Sequence, residues 1–355
     1  MGPRPRLKQQ FRPLRRGDGR VQLGLDPSLG VVLEGLCDGE VELLERLDGT
    51  LDEPGAAAWA AERGIPGERV SALLSTLRAH RLTVESPAHR LDLAGLPGPL
   101  RTTLGPDADA LACAYRRDDD GYALLTRRGR RRVLVDGSGT LPAALVQALR
   151  QAGVGWVHAG RYAAAASPSP PPDLVVLAGV GALDPARAAP WMRDGTPHLP
   201  LVLRGTSAEV GPLVRPGSRP CLRCLDLTRA DLDPAWPAVL AQLAPAGVGT
   251  PPDTSGETSL VLAAAGLAAM VALAALDGQP TPPGISVEVS LPRPHVAERL
   301  WLAHPACSCS GTGTAPGPPQ PAAARPPQRA AAASRGDTAG GPAAPGGHGQ
   351  ATMAG

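Results

Sequence analysis

The sequence is poor in aromatic residues and carries almost no excess of charge. Phe, Trp and Tyr together make up 3% of the 355 residues, and the formal net charge at neutral pH is +2. Proteins that hold single-stranded nucleic acid stack the bases on aromatic rings and attract the phosphates with a basic surface. Because the chain has little of either, we expect no nucleic acid partner.

An apolar secretion signal is also missing. The N-terminal stretch MGPRPRLKQQFRPLRR is basic, but neither an apolar segment nor a small-residue cleavage site follows it. A secretory signal requires both. We therefore expect a cytoplasmic protein, and in that compartment closely spaced cysteines favour metal or redox chemistry over structural disulfides.

One long apolar run, SLVLAAAGLAAMVALAAL from Ser259 to Leu276, approaches the length that spans a membrane. It consists mostly of Ala and Gly, and neither Lys/Arg flanks nor an aromatic belt marks its ends. We expect a helix whose small residues pack closely against a sheet, and no membrane partner.

Large apolar residues are almost absent from residues 311–355, which are mainly Ala, Pro and Gly. Such a segment cannot offset its chain entropy by burial, so a disordered tail is predicted. SPSPPPD, from Ser167 to Asp173, is a shorter Pro-rich break between two apolar runs. It predicts a loop and not a domain boundary.

Residues 1–90 combine short strands with amphipathic helices. RVQLGLD and GVVLEGL predict a β-hairpin. Two apolar stripes at helical spacing follow, and HRLTVE predicts a return to a strand. The stripes contain Val41, Leu44 and Leu47, then Val70, Leu73, Leu74 and Leu77. This order predicts a winged helix-turn-helix domain, with a docking domain that has no groove of its own as the alternative. DNA binding is disfavoured because the second helix offers only Arg69 and Arg78, with Glu68 beside the first.

Residues 91–310 show alternating strand and helix patterns. RRVLVDGSGTLPAALVQALRQAGVGWVHAG holds a strand from Val133 to Asp136, a glycine turn, a helix through Ala152 and a second strand from Val154. That order is a βαβ unit. Further strands are predicted in DLVVLAG, LPLVLRG and EVGPLV. The fold class is therefore α/β, a Rossmann-like domain with a mostly parallel sheet.

The glycine turn contains Gly137 and Gly139 and is the candidate nucleotide site. Glycines there let a phosphate approach a helix N-terminus, and an acidic residue after the next strand holds the ribose. Here Pro142 takes the third glycine position, and HAGRY after the second strand has no carboxylate. Half of the motif is present, so nucleotide binding and a turn kept for packing alone both remain open.

Two cysteine pairs form the candidate metal site. Cys221 and Cys224 follow a Gly/Pro turn, and Cys307 and Cys309 lie in HPACSC. Four thiolates on two loops form a tetrahedral site for Zn²⁺ that has no open position for catalysis. Alternatives are His304 in place of one sulfur, a redox-active pair with Cys221 as a low-pKa thiol at a helix N-terminus, or inert cysteines.

The remaining candidates are weaker. Cys37 and Cys113 are predicted to be lone core thiols. An arginine run leads into the first strand of the sheet, either as a solvated strand entrance or as a patch for an acidic peptide or phosphate. The run comprises Arg127, Arg128, Arg130, Arg131 and Arg132. No catalytic constellation of Ser, His and Asp, or of paired carboxylates, stands out.

Three segments together resemble the ThiF-like adenylyltransferase superfamily, relatives of ubiquitin-activating enzymes. They are VGPLVRPGSRPCLRCLDLTRADLDPAWPAVLAQL, DGSGTLPAALVQALRQAGVGWV and the closing HPACSC. More narrowly, they are similar to the branch of thiazole/oxazole-modified peptide (bacteriocin) biosynthesis whose members partner YcaO cyclodehydratases and bind the leader peptide. The N-terminal region, residues 1–90, is similar to the winged-helix peptide-recognition domains of that branch, and the whole resemblance spans residues 7–309.

The resemblance implies a role for particular residues. Cys221, Cys224, Cys307 and Cys309 match its structural zinc ligands, and Gly137 and Gly139 match its nucleotide loop. An active member has an acidic residue after the second strand, an Asn/Arg-rich segment and an Asp after the third strand. This sequence has HAGRY, SPSPPPD, and Gly179 with Val180 at those places.

The resulting hypothesis is a non-catalytic or weakly catalytic ThiF-like protein that holds structural Zn²⁺, binds a leader peptide and presents it to a YcaO-type cyclodehydratase. The alternative is an active adenylyltransferase that uses ATP and Mg²⁺ to activate a peptide or carrier-protein C-terminus. A winged-helix DNA-binding regulator is a third possibility, against which the near-neutral charge argues. The family implies a homodimer.

Overall fold

The computed structural model describes residues 4–17, 19–85, 98–160, 170–243, 254–310 and 329–330. Apart from residues 329–330, the tail predicted to be disordered lies outside these ranges, as does part of the Pro-rich stretch SPSPPPD. The described residues fall into two units that divide between Ser86 and Pro87, and Arg329 and Ala330 belong with the first unit.

The first unit has five strands and three helices from its N-terminal part. The strands are β1 Pro5–Leu7, β2 Pro13–Gly17, β3 Arg20–Leu23, β4 Val31–Leu33 and β5 Thr83–Glu85, and the helices are α1 Asp38–Glu45, α2 Glu53–Ala61 and α3 Gly67–Ala79. The first predicted apolar stripe lies in α1 and directly after it, and the second lies in α3. All residues of both stripes are buried. Helix α2 was not predicted. Its Ala-rich sequence has no wide apolar stripe, and Asp52 caps it by accepting a bond from the Gly55 amide.

Two sheets form in this unit. The predicted hairpin is confirmed, because β3 and β4 pair antiparallel with Val21 opposite Leu33. Strand β2 lies on the other side of β3, and β5 pairs with β1 in a separate two-stranded sheet. The free side of β4 pairs in parallel with a two-residue strand that we number β13, Arg329–Ala330, after the twelve strands that precede it in the chain.

The second unit is a three-layer α/β structure around a seven-stranded sheet. Its strands are β6 Arg132–Asp136, β7 Trp156–Ala159, β8 Leu174–Val180, β9 His198–Arg204, β10 Ser207–Val210, β11 Ile285–Ser290 and β12 His295–Leu300. Its helices are α4 Gly98–Ala114, α5 Tyr122–Arg128, α6 Thr140–Gln151, α7 Ala189–Arg193, α8 Leu222–Leu232, α9 Trp236–Leu243 and α10 Thr258–Leu276. The predicted βαβ unit is β6, α6 and β7.

The sheet is parallel on one side only. Its strand order is β12-β11-β10-β9-β8-β6-β7. Strands β6 to β9 pair in parallel, whereas β10, β11 and β12 are antiparallel to their neighbours. The prediction of a mostly parallel sheet therefore holds for four strands. EVGPLV differs because its strand follows β9 through a tight turn, which returns the chain in the opposite direction.

Successive residues of the strands point alternately into two hydrophobic cores, one on each face of the sheet. Val133, Val135 and Val176 face α6 and α10, and Leu134 and Val175 face the layer that contains α7 and α8. In the described part of the chain, only α10 is long and apolar enough to cross a membrane. One side of α10 is buried against α6 and the sheet.

Candidate functional site

The four predicted metal ligands come together. Their sulfur atoms all lie within 4.8 Å of one another. Cys221 Sγ lies 3.9 Å from Cys224 Sγ and 3.7 Å from Cys307 Sγ, and Cys224 Sγ lies 3.3 Å from Cys309 Sγ. Sulfurs on a tetrahedral zinc ion are separated by about 3.8 Å, given a bond of about 2.3 Å. The cluster therefore has the size and the donor set of a four-sulfur metal site.

Local structure positions each pair. Cys221 is the N-cap of α8, and Cys224 lies in its first turn with its amide bonded to the Cys221 carbonyl. Cys307 closes a turn through its bond to the His304 carbonyl, and Cys309 lies in the short 3-10 turn that follows. A metal ion would join the start of α8 to the chain beyond β12.

Without a cation, the cluster resists carrying four negative charges. Burial raises the pKa of Cys221 and that of Cys309, and neighbouring thiols add to the effect at Cys309. Burial raises the pKa of Cys224 as well, but the hydrogen bonds from the His304 backbone and from nearby cysteines outweigh it, so the pKa of Cys224 is lowered. A divalent ion would favour the thiolate form at all four positions.

The structure disfavours two alternatives for these cysteines. Cys221 is buried at the helix N-terminus and its pKa is raised, the reverse of what a reactive thiol requires. His304 directs Nε2 at Asp231, 2.8 Å away, and its Nδ1 accepts a bond from the Ala306 amide. Both ring nitrogens are engaged, so the sulfurs form the complete candidate ligand set.

Gly137 and Gly139 lie between β6 and α6, as predicted. A side chain at Gly137 would collide with Ala178, because a Cβ there would lie 2.8 Å from the Cβ of that residue. Gly139 has a φ of 100°, which favours glycine. Both glycines thus have a packing or backbone reason to be present.

The first amides of α6 are bonded within the chain. The Leu141 amide donates to the Thr254 carbonyl at 3.0 Å, and the Thr140 amide donates to Ser255 Oγ at 3.1 Å. Pro142, the next residue, has no amide hydrogen. These are the groups that would hold a phosphate at a helix N-terminus, so a phosphate would have to displace Thr254 and Ser255.

An ion pair occupies the carboxyl end of β6 beside this turn. Arg187 donates to the Asp136 carboxylate and to the Asp136 carbonyl, both at 2.9 Å, and to the Ala178 carbonyl at 2.8 Å. The guanidinium therefore spans the ends of β6 and β8, where nucleotides lie in Rossmann-like folds. Sequence reasoning missed Arg187. The only signal was an acidic residue ending a buried strand, which requires a cationic or hydrogen-bonding partner.

The arginine run and the two remaining cysteines were the other candidates from the sequence. Arg128 is buried and pairs with Asp277 at the end of α10, with Nε 2.8 Å from Oδ1. Arg131 pairs with Asp173, and Arg132 lies over the Trp156 ring. Arg127 and Arg130 are exposed, whereas Arg131 and Arg132 are half-buried. A solvated strand entrance therefore fits Arg127 and Arg130, while the other three arginines have partners within the chain. Cys113 is buried as predicted, but the prediction was wrong for Cys37, which is exposed as the N-cap of α1.

No family model matches the sequence, and neither does any curated protein sequence. Solved structures do match. The heterocyclase TruD is 18% identical with a TM-score of 0.59, and the match covers 87% of this chain and 43% of that one. A heterocyclase in complex with substrate and cofactor is 16% identical with a TM-score of 0.57, covering 85% of this chain and 38% of that one.

A shorter protein matches over almost its whole length. E. coli MccB, in its structure with ATP, is 13% identical with a TM-score of 0.59, and the match covers 86% of this chain and 99% of MccB. This chain shares its fold with MccB and with the matched part of the two heterocyclases. That fold is the one the sequence resemblance implied. The chain spans less than half the length of the two heterocyclases, so their complete activities do not follow from the match.

Proposed function

We propose that this chain is a non-catalytic or weakly catalytic ThiF-like protein that binds a leader peptide and presents it to a separate YcaO-type cyclodehydratase. It would work in the cytoplasm, self-associate and hold Zn²⁺ as a structural ion. The shared fold supports this proposal because matched structures include a heterocyclase with its substrate and an E. coli MccB with the peptide MccA.

The observation that carries the non-catalytic part is at the N-terminus of α6. Its first two amides are bonded to Thr254 and Ser255, and its third residue is Pro142. The adjacent carboxylate, that of Asp136, is paired with Arg187. A nucleoside triphosphate would have to displace the hydrogen bonds at the start of α6. Its phosphates would also need a cation other than Arg187, which already neutralises Asp136.

The cysteine cluster supports a structural ion. Four cysteine sulfurs would fill all four positions of a tetrahedral ion, so no coordination position is left for substrate or water. Its place beside the buried Trp191, Leu222 and Trp301 keeps water away from most of the ligands. Zn²⁺ fits this donor set better than harder divalent ions, which prefer oxygen ligands.

Strand addition in the first unit is the proposed mode of peptide capture. The outer edge of β4 pairs with Arg329 and Ala330 in parallel register, opposite Val32 and Leu33. This edge therefore has main-chain donors and acceptors in a geometry that accepts another strand. Peptides that add a strand obtain affinity from such main-chain bonds and specificity from alternate side chains.

A peptide titration tests the proposal. Fluorescein-labelled N-terminal segments of short precursor peptides encoded beside the gene are titrated with the full zinc-loaded chain, and fluorescence polarisation is recorded. We expect a dissociation constant of about 1 to 10 μM, and weaker binding of scrambled peptides of equal composition. If none of these peptides binds at about 100 μM, the chain is not a leader-binding protein of that gene cluster.

The second candidate is an active adenylyltransferase acting on a peptide or carrier-protein C-terminus. The match to MccB with ATP over most of this chain favours it. ATP–pyrophosphate exchange in the presence of the peptide separates the two functions. We expect no exchange above the rate of a protein-free control, and clear exchange would replace our proposal with this one.

A further inference from the structure

Strand β7 carries an aromatic and basic cluster that the proposed function does not use. It is the last strand of its sheet and has a neighbour on one side only, β6. Trp156 and His158 are two residues apart in β7, so their side chains point to the same face of the sheet. Trp156 packs partly against the core that contains Trp191 and Leu222, so this face is the one opposite α6 and α10. Trp156 is half-buried and His158 is exposed.

The side chains of this cluster hold one another in place. The Cζ atom of Arg132, in β6, lies 4.2 Å from the centre of the Trp156 ring. The His158 ring stacks on the same indole, with 5.8 Å between the ring centres. Cation–π and stacking contacts of this kind restrict both the rings and the guanidinium. A partner that bound here would therefore order few additional side chains, which favours binding.

Arg150 brings a second guanidinium to the outer edge of β7. The Trp156 amide bonds to the Arg131 carbonyl on the β6 side, so the main-chain groups of the next residue, Val157, point away from β6. Arg150 Nη2 donates to the Val157 carbonyl at 2.8 Å. This bond occupies a main-chain acceptor of the edge and disfavours the addition of a further strand there. Arg150 is exposed and keeps its charge and its other N–H donors.

The positive charges of Arg132 and Arg150 are not neutralised by nearby carboxylates. Asp173 pairs with Arg131 at 2.8 Å and accepts a bond from the Arg132 amide, so its charge is already matched. Within the ranges that the structure describes, neither Arg132 nor Arg150 forms an ion pair. The buried Nε of Arg132 has no hydrogen-bond partner there either. A surface with an excess of one charge attracts a partner of the opposite charge.

We propose that an acidic, extended segment of a partner protein binds to the β7 surface, defined by Arg132, Arg150, Trp156 and His158. Carboxylates of the segment pair with the two guanidiniums, whose forked donors match carboxylate geometry. An apolar group of the segment covers the exposed part of Trp156. Trp and Arg side chains contribute most often to the binding energy of protein interfaces. The acidic-peptide interpretation of the arginine run thus applies to Arg132, joined by three residues outside the run.

Other occupants fit the β7 surface less well. Arg132 and His158 already stack on Trp156, so little of the ring is open to a nucleic acid base. The net charge of +2 also gives no broad attraction for a phosphate backbone. A second copy that docked through the same surface would bring like charges together. The β7 surface belongs to the second unit, so the proposal does not depend on peptide capture by the first.

A titration with a synthetic acidic peptide tests the proposal. A fluorescein-labelled peptide that alternates Glu with Thr favours an extended backbone and presents its carboxylates on one side. Fluorescence polarisation is recorded with the full zinc-loaded chain at about 50 mM salt, where exposed charges are weakly screened. We expect a dissociation constant of about 10 to 100 μM, and binding at least about tenfold weaker when Gln replaces Glu in the peptide.

Charge reversal in the protein shows whether the peptide binds at β7. Arg150→Glu and His158→Glu change exposed positions, and each should weaken binding of the acidic peptide at least about tenfold because like charges then face each other. Arg193→Glu is the matched control, since Arg193 is an exposed residue of α7, and it should change the affinity less than about twofold. The double variant Arg150→Glu/His158→Glu should bind a peptide that alternates Lys with Thr more tightly than the wild type does. Thermal unfolding of each variant confirms that it is folded.

Three results overturn the proposal: equal affinities for the Glu and Gln peptides, an effect of Arg150→Glu no larger than that of Arg193→Glu, and tighter binding of labelled oligouridylate than of the acidic peptide. The leader-peptide titration is a separate measurement. A chain that binds the leader peptide but not the acidic peptide therefore refutes the β7 surface and leaves the proposed function standing.

Discussion

Arg187 binds both the carboxylate and the main-chain carbonyl of Asp136, a residue 51 positions earlier in the chain. The two side chains are mostly buried at the carboxyl end of the parallel strands. Because the guanidinium also bonds to the Ala178 carbonyl, this pair joins the ends of two adjacent strands at the place where the matched folds could hold a nucleotide.

Arg187→Ala should lower the free energy of unfolding by about 3 kcal/mol, because it leaves the Asp136 carboxylate buried without its cation. Urea denaturation of the zinc-loaded chain measures the change. Arg193→Ala, at the exposed end of α7, should stay within about 0.5 kcal/mol of the wild type. Asp136→Asn combined with Arg187→Ala should recover part of the loss, and a double variant as unstable as the sum of the single ones would contradict this account.

Cys224→Ser should remove most of the bound zinc. The substitution leaves three sulfurs and exchanges a thiolate for a hydroxyl that remains protonated, so affinity falls and the chain beyond β12 loosens. Elemental analysis after gel filtration measures the metal, and limited trypsin digestion measures the loosening. Cys37→Ser is the control because Cys37 is exposed and lies outside the cluster. An equal zinc content in both variants would show that the cluster is not the metal site.

Acidification should destabilise the second unit through His198. The imidazole is fully buried in β9, and burial lowers its pKa, although the bond to the Thr196 carbonyl acts in the other direction. The unfolded chain therefore binds more protons than the folded one below about pH 6.5, so stability present above that pH is lost as the pH falls.

Urea unfolding between pH 5.5 and 8 tests this prediction on the wild type, His198→Gln and His158→Gln, the last altering an exposed ring. The dependence on pH should be shallower in His198→Gln and unchanged in His158→Gln. Zinc release at low pH lowers the free energy of unfolding of all three proteins equally. A difference between their pH dependences therefore reports on His198. Parallel curves for the three would contradict the prediction.

Removal of the tail should strengthen peptide binding. Arg329 and Ala330 pair with the β4 edge that we propose for the leader peptide, so the two strands compete. A chain ending at Ser310 should bind the labelled peptide about three- to tenfold more tightly, because a competing intramolecular strand reduces the fraction of competent molecules. Replacing Arg329 and Ala330 by proline keeps the tail length but removes their amide donors, and it should give the same gain.

Equal affinities for the wild type, the shortened chain and the double-proline variant would contradict competition at β4. Weaker binding of the shortened chain would mean that the tail contributes to the peptide site. Both outcomes are read from the polarisation assay used for the leader peptide.

The sequence by itself determined the local features. The spacing of Cys221 and Cys224 after a Gly/Pro turn indicated a metal-binding loop, and the alternation of apolar runs with a glycine turn predicted β6, α6 and β7. The prediction of β6, α6 and β7 is confirmed because hydrophobic period and turn residues act between residues a few positions apart. The metal-binding loop stays a prediction, based on the spacing of two ligands along the chain.

Only the tertiary structure decided which distant residues meet. It placed Thr254 over the N-terminus of α6 and directed Arg187 at Asp136. It also turned half of the sheet antiparallel. These contacts form because packing of the sheet brings together strands and helices that are far apart in the chain. Each buried charge and backbone amide then needs a partner, and the residues next to it in the sequence do not indicate which partner that is.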